Sequence, residues 1–403
     1  MKLAKLSLAA IVVAGLASSS FAADTLADAF KEGKVSGALK AYYFDRDDGV
    51  DDEGILNFGL MLNYKTGSFY GFGLNFTGQT NHAPFADGAV GVDGSKDMFS
   101  GDEYGSGAQL SEAYLSYSAG KTTVLVGRMF LDTPLVASSG SRMVKEAFEG
   151  AAVINTDLPN TTLIAGYVQK FQARTDGAGN IGEFTKELTG VGNGINKDGA
   201  YTLAAINKSI TGLTLTGAYA DVIDALQVGY IEAAYEGKAS SFTYGLAAQY
   251  YYNNPDAAAA DNSHLYGIKA TVGVGAVTGY AAYTTVSKDA GITPGLGGSA
   301  DLAYTGSVIL SNSYAANTDA YKVGVDYAIN AQATIGATYT VTDDDDLLGA
   351  GNGKISYISL LGSYDFTGAL KGFGLGAEYD KGNHDKAGVK DDQEIRIKAT
   401  YKF

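Results

Sequence analysis

The sequence predicts an all-β chain, a transmembrane antiparallel up-and-down β-barrel of about 18 strands with its third outer loop folded into the lumen. Three observations predict it. Apolar and polar residues alternate with a period of two along segments of bilayer-spanning length. Tight turns and long loops alternate between those segments. The chain begins with an export signal and ends on an aromatic residue, Phe403.

The export signal comes first. Lys2 and Lys5 precede an apolar run from Leu6 to Leu16, followed by Ala17-Ser18-Ser19-Ser20-Phe21-Ala22. A charged start, a short apolar core and small residues before a cut describe a secretory signal, and the run is too short to span a bilayer as a helix. The predicted cut follows Ala22. The organisation is then residues 1–22 as signal peptide, 23–33 as a short N-terminal periplasmic segment and 34–403 as the barrel. Loss of Lys2 and Lys5 takes the net charge from −15 to −17.

The period-two pattern is clearest at the C-terminus, where Ile395, Ile397, Ala399, Tyr401 and Phe403 alternate with Glu394, Arg396, Lys398, Thr400 and Lys402. Such a strand separates two very different environments. The same alternation places strands near 34–47, 54–65, 69–79, 108–118, 122–130, 147–155, 161–172, 200–208 and 213–221. It continues near 225–236, 241–253, 263–273, 276–287, 319–329, 332–343, 354–365, 371–381 and 392–403. Connections after even-numbered strands are short, as at Thr66-Gly67-Ser68 and Ala119-Gly120-Lys121. The long ones, 80–107, 131–146, 173–199 and 288–318, all follow odd-numbered strands, as in outer-membrane barrels with periplasmic turns and external loops. All five Pro fall in the predicted connections, which suits a residue unable to donate to a ladder. A soluble β-sandwich would also alternate, but it would turn its apolar faces inward. With no Trp, the 28 Tyr and 17 Phe must supply the interfacial girdles, many from strand ends such as Tyr43, Tyr64, Tyr117, Tyr252 and Tyr327.

About 18 strands roughly 4.8 Å apart and tilted about 40° enclose a backbone diameter of about 35 Å, too wide for side chains to fill. The inward positions read as Lys40, Tyr42, Arg46, Asn63, Lys65, Asn75, Gln79, Glu112, Lys322, Asp326, Glu378, Arg396 and Lys398. A polar, solvent-filled lumen points to passive diffusion of small hydrophilic solutes and ions. The segment 131–146 carries Asp132, Arg142, Lys145 and Glu146 among Leu131, Leu135, Val136, Met143 and Val144. That is too apolar for a purely external loop, so it is predicted to pack on the inner wall and narrow the pore.

The same stretch resembles a known family. Gly127-Arg128, Asp132-Thr133-Pro134-Leu135, Ser141-Arg142-Met143 and Phe148-Glu149-Gly150 are similar to the corresponding stretch of OprD-type outer-membrane porins. Ala29-Phe30-Lys31-Glu32-Gly33-Lys34-Val35-Ser36-Gly37, the run Asp157 to Gly166 and the terminal Tyr401-Lys402-Phe403 resemble the epsilon-proteobacterial branch. The motif match covers 29–46 and 122–170; elsewhere the likeness is architectural. The resemblance implies an eighteen-stranded barrel, an eyelet shaped by the third loop and a terminal signal, Tyr401 and Phe403, read by the barrel-assembly machinery. It offers Arg128 and Arg142 as eyelet residues. Lys145 departs from the Pro common there. Carboxylate-selective members carry a basic ladder, whereas this chain has only five Arg (Arg46, Arg128, Arg142, Arg174 and Arg396), so that specificity is not carried over.

Other functions are weighed against this one. No Cys is present, and His82, His264 and His384 are scattered, which removes thiolate and most metal chemistry; no cofactor is expected. The acidic balance removes nucleic acid as a partner. The expected partners are outer-membrane lipid and lipopolysaccharide, the assembly machinery and small solutes, with a monomer and a homotrimer both open. A surface adhesin is one rival. A barrel hydrolase built on Ser263-His264 is another, though no partner constellation accompanies it. The acidic runs Asp45 to Glu53 and Asp343-Asp344-Asp345-Asp346 read as Ca²⁺ sites or as solvated loops, and Gly190 to Gly194 lacks the helix a phosphate cradle needs. The net charge favours a weak cation preference, unless Arg128, Arg142, Arg396 and the inward Lys residues dominate the eyelet, because field decays within about 8–10 Å.

Overall fold

A computed structural model describes residues 23–188, 198–257, 260–311, 313–344 and 353–403. The signal segment 1–22, the Gly190–Gly194 stretch and Asp345-Asp346 lie outside the described residues. After a six-residue helix, α1 (Leu26–Lys31), the chain forms eighteen long strands. They are β1 (Lys34–Asp47), β2 (Asp52–Lys65), β3 (Phe72–Asn81), β4 (Gly107–Ala119), β5 (Thr122–Met129) and β6 (Ala147–Asn155). Next come β7 (Thr161–Gln172), β8 (Ala200–Asn207), β9 (Leu213–Val222), β10 (Leu226–Ala239), β11 (Phe242–Pro255) and β12 (Ser263–Val274). The last are β13 (Val277–Val286), β14 (Thr318–Ala328), β15 (Ala333–Asp344), β16 (Gly353–Asp365), β17 (Phe373–His384) and β18 (Asp392–Lys402).

Each strand pairs antiparallel with its chain neighbours, and β18 returns to β1 from Ala38↔Lys402 to Asp47↔Gln393, so the sheet closes. Closure leaves no ladder group unpaired at an open edge, which hydrocarbon does not tolerate. Phe184–Thr185, in the connection after β7, adds a two-residue pairing to that strand's outer end.

Burial is inverted relative to a soluble protein. In β18, Ile397 is 49% exposed while its neighbour Arg396 is 3% exposed. Leu39, Leu62, Val126, Ile231 and Val323 point outward, and Asn57, Gln79, Gln249 and Ser359 are buried on the inner face. This pattern separates a membrane barrel from a sandwich. Aromatic pairs line both rims: Phe72–Tyr117, Tyr235–Tyr244 and Tyr401–Phe403 near the turns, Tyr283–Tyr321 and a Tyr250–His264–Tyr266 group near the loops. Tyr42 faces inward, its hydroxyl 3.1 Å from Thr400 Oγ1.

Three expectations shift. The third strand begins at Phe72, not at 69, because Tyr70 and Gly71 take left-handed φ of 49° and 87° inside a turn closed by Phe69 and Phe72. The seventeenth runs from Phe373 to His384, two residues later at its start, after a 3₁₀ turn at Gly368–Leu370. Pro255 is the last residue of β11, opposite Leu226, where a missing N–H is harmless.

The seam ends in a reciprocal pair, Gly37 N to Phe403 O at 3.0 Å and Phe403 N to Gly37 O at 3.1 Å. A Cβ at Gly37 would stand 2.5 Å from Met61 O and 2.7 Å from the Phe403 ring, whereas one at Gly362 meets nothing within 4 Å. Gly37→Val should therefore cost about 1–3 kcal/mol through overpacking. It should lower the temperature at which the folded barrel loses its fast gel mobility, and Gly362→Val should not. Equal melting of the two variants would refute this account of the seam.

Candidate functional site

Strand parity assigns the inner face. On β1, outward Val35, Leu39 and Tyr43 leave Lys40, Tyr42 and Arg46 inward. On β14, outward Tyr321, Val323 and Val325 leave Lys322 and Asp326 inward. Glu378 on β17 and Arg396 and Lys398 on β18 face the lumen by the same rule.

The β17, β18 and β1 walls form one charged column. Arg396 Nε lies 2.6 Å from Glu394 Oε1 and Arg46 Nε 2.8 Å from Glu394 Oε2. Lys398 Nζ lies 2.7 Å from Glu378 Oε2. Arg46 Nη2 reaches Asp102 Oδ2 at 2.9 Å, in the second outer loop (82–106), which includes the short helix α2 (Ser95–Met98). Arg142, in the third loop, places Nε 2.9 Å from Glu103 Oε1 and 3.4 Å from Asp102 Oδ2. The guanidinium carbons of Arg142 and Arg396 lie 5.9 and 6.0 Å from the Phe44 ring centroid. Burial pushes the Asp102 carboxyl up, but Arg46 and Arg142 outweigh it and hold the group below its ordinary range. Glu103 is buried so completely that its carboxyl is pushed up to about 8, Asp102 adding to the shift and Arg142 opposing it.

The third outer loop (130–146) is held by inward side chains. Lys40 Nζ donates to Met143 O at 2.8 Å. Gln79 bonds both main-chain polar groups of Lys145, donating to Lys145 O at 2.8 Å and accepting from Lys145 N at 2.9 Å. Glu112 Oε1 accepts from Phe130 N at 3.2 Å. Lys145 Nζ sits 4.5 Å from the Phe130 ring centroid, and burial lowers its pKa despite Glu112 and Asp132. Burial likewise raises that of Asp132, with Lys145 opposing. Glu146 joins three loops: it accepts from Ser139 N at 3.0 Å and Gly298 N at 2.7 Å and lies 3.1 Å from Arg174 Nη2.

The seventh outer loop (287–317) is the part that sequence reasoning missed. Leu296 exchanges backbone bonds with the third loop, from Ala137 N and to Leu135 O. Tyr304 donates to Glu232, Lys322 donates to Gly306 O, and Ile309 N and Leu310 N donate to Asp380. Leu135, Val136 and Leu296 share a dry cluster with Phe148, Tyr251 and Leu265 from the inner wall. The signal was present in Ile292, Leu296, Leu302, Ile309 and Leu310, the same apolar content that singled out 131–146.

Arg128 needs correction. Its register partners Ala113 and Glu149 put it on the outward face, where Nε lies 3.1 Å from Glu149 Oε2 and the guanidinium stacks 4.4 Å from the Phe184 ring. Met129, its neighbour, takes the inward position because the loop core needs an apolar side chain there. His264 also faces outward, with Nδ1 2.7 Å from the Tyr250 hydroxyl. In the acidic run, Asp47 and Asp48 accept backbone N–H groups of the 48–51 turn. Among the described residues no group of three metal-ligating side chains gathers.

A family model described as outer membrane porin, OprD family, matches residues 28–403. Solved structures with this fold include Pseudomonas aeruginosa OccK9 (OpdG), at TM-score 0.81 and 18% identity over 93% of this chain and 99% of that one. Acinetobacter baumannii OccAB2 gives 0.80 and 19%, with the same 93% and 99% coverage. Pseudomonas aeruginosa OpdK with vanillate gives 0.77 and 17%, again over 93% and 99%. At these identities the structural likeness speaks for the fold alone. No curated protein matches the chain. A barrel of eighteen strands, apolar without and charged within, and a family match along nearly its whole length place this chain in the OprD family of outer-membrane porins.

Proposed function

We propose that small hydrophilic solutes diffuse through this porin along the basic column of β18 and β1, and that the second, third and seventh loops frame its narrowest section. The observation that carries this is the clustering of Lys40, Arg46, Arg142, Arg396 and Lys398 around Asp102, Glu103, Glu378 and Glu394. Five cations meet four carboxylates, one of which, Glu103, is largely protonated near neutral pH. Local charge at a constriction outweighs acidic loops more than a Debye length away. The reading is therefore a weak anion preference in spite of the chain's net negative charge. A carboxylate such as the vanillate of the OpdK structure suits such a column. Asp132, Lys145 and Glu146 serve in this reading as supports of the third loop, and Glu112, Lys322 and Asp326 as lining away from the column. The 29–37 and 157–166 stretches support the epsilon-proteobacterial branch, residues 1–22 act as the export signal, and Tyr401 and Phe403 serve the assembly machinery. Conduction, not hydrolysis or adhesion, is the activity.

Reversal potentials in a planar bilayer under a KCl gradient test this directly. Anion-side reversal near pH 7 is expected, and cation-side reversal would overturn the proposed role of the column. Glu103 ionises as pH rises through about 8, adding a negative charge to the cluster, so anion preference should fall about twofold between pH 6.5 and 9. Glu103→Gln should reduce that pH response.

Gln79→Ala leaves the main-chain N–H and C=O of Lys145 without their Gln79 partner, a loss of about 1–3 kcal/mol concentrated on the third loop. Single-channel conductance should rise and flicker should appear, with the barrel's melting little changed. Conductance identical to wild type would remove the third loop from the constriction.

A further inference from the structure

A groove on the outer, bilayer-facing wall between β6 and β11 has no part in conduction. Its volume is about 890 Å³, within the range of small-ligand sites. Ala165, Ala205, Gly217 and Gly229 keep its floor low. Its lining is otherwise apolar or aromatic apart from Asn155, whose amide donates to Thr122 and Asp157.

The groove runs across the strands. Ala165 pairs with Leu203, Leu203 with Tyr219, Tyr219 with Gly229 and Gly229 with Tyr252. Its lower end is Val153 and Leu163, near the periplasmic ends of β6 and β7, and its upper end is Tyr250 and Tyr252, near the outer end of β11. Six strands about 4.8 Å apart, tilted about 40°, carry such a row upward by about 15 Å, from the periplasmic half of the wall to its outer rim.

A polar cluster stands at the upper end. The His264 ring lies 5.1 Å from that of Tyr252 and 5.8 Å from that of Tyr250. In the tautomer whose Nδ1 accepts from the Tyr250 hydroxyl, the His264 Nε2 carries the proton and offers a donor at the outer headgroup level. Aromatic faces suit sugar rings, and an N–H donor suits a phosphate oxygen.

We propose that this groove is a built site for an acyl chain of lipopolysaccharide, whose sugar-phosphate headgroup meets the His264–tyrosine cluster. The groove is continuous with the apolar face that the outer membrane covers, and its polar end lies at the outer leaflet. The inference rests on the outer-membrane location and is independent of the reading of the lumen.

Native mass spectrometry of the full chain, extracted in mild detergent and offered lipid A or phosphatidylethanolamine, tests it. Wild type should hold one lipid A and should not exchange it for phosphatidylethanolamine. A Cβ at Gly217 meets nothing within 4 Å, so Gly217→Leu fills the groove without backbone conflict and should reduce bound lipid A at least tenfold. Ala205→Leu is a second filling variant, and Gly362→Leu, on the opposite wall, should bind as wild type. His264→Ala should weaken retention with folded gel mobility intact. Lipid A bound equally to wild type and both filling variants would overturn the proposal, as would free exchange for phosphatidylethanolamine. A wild-type multimer split by Gly217→Leu would also overturn it, by making the groove an interface between copies. Unchanged conductance in every variant keeps the outcome separate from that of the lumen.

Discussion

Closure of β18 onto β1 is the constraint on which the rest of the structure depends. Hydrocarbon offers no partner to a backbone N–H or C=O, so the sheet has to end where it begins. The Ala38–Asp47 ladder and the Gly37–Phe403 pair meet that demand. Closure also forces the inverted side-chain pattern, because one face of every strand then meets lipid and the other water. Buried Arg396 and exposed Ile397, side by side, are the direct consequence. The same seam brings Lys40 and Arg46 of β1 beside Arg396 and Lys398 of β18, so the charged column exists only because the first and last strands pair.

The outer loops are fastened to the inner wall by inward side chains that serve as anchors. Gln79 grips the main chain of Lys145, Lys40 holds Met143, and Asp380 takes two backbone donors from the seventh loop. Apolar residues of the third and seventh loops then share a core with the strands, inside a barrel whose other inner wall is charged. The inner wall is thus divided into a packed apolar side and a charged side. Net charge describes neither, because what a permeating ion meets is the balance within a Debye length.

The outer wall repeats the lesson in apolar form. Ala165, Ala205, Gly217 and Gly229 face the bilayer side by side on adjacent strands, below a histidine in contact with tyrosine. Lumen and wall are chemically separate although they alternate residue by residue along one strand, so the inner surface can change without disturbing the outer.

The strand number, the inward identity of Lys40, Arg46, Lys322, Glu378, Arg396 and Lys398, and the topology of turns and loops were legible in the sequence. They depend on a two-residue period and on residues that cannot enter a ladder, both of which are local. Arg128 was not, because a strand as evenly apolar as Thr122–Met129 carries no parity, and only the register with Ala113 and Glu149 settles its face. The start of β3 was missed because Tyr70 fits a strand pattern while its backbone turns left-handed. The seventh loop's course, the linkage of Arg142 to Glu103 and the groove above Gly217 were decided by tertiary structure alone. Each joins residues from distant strands or loops, and the energy of a buried charge or a filled cavity depends on which groups the fold places within a few ångströms, not on their order along the chain.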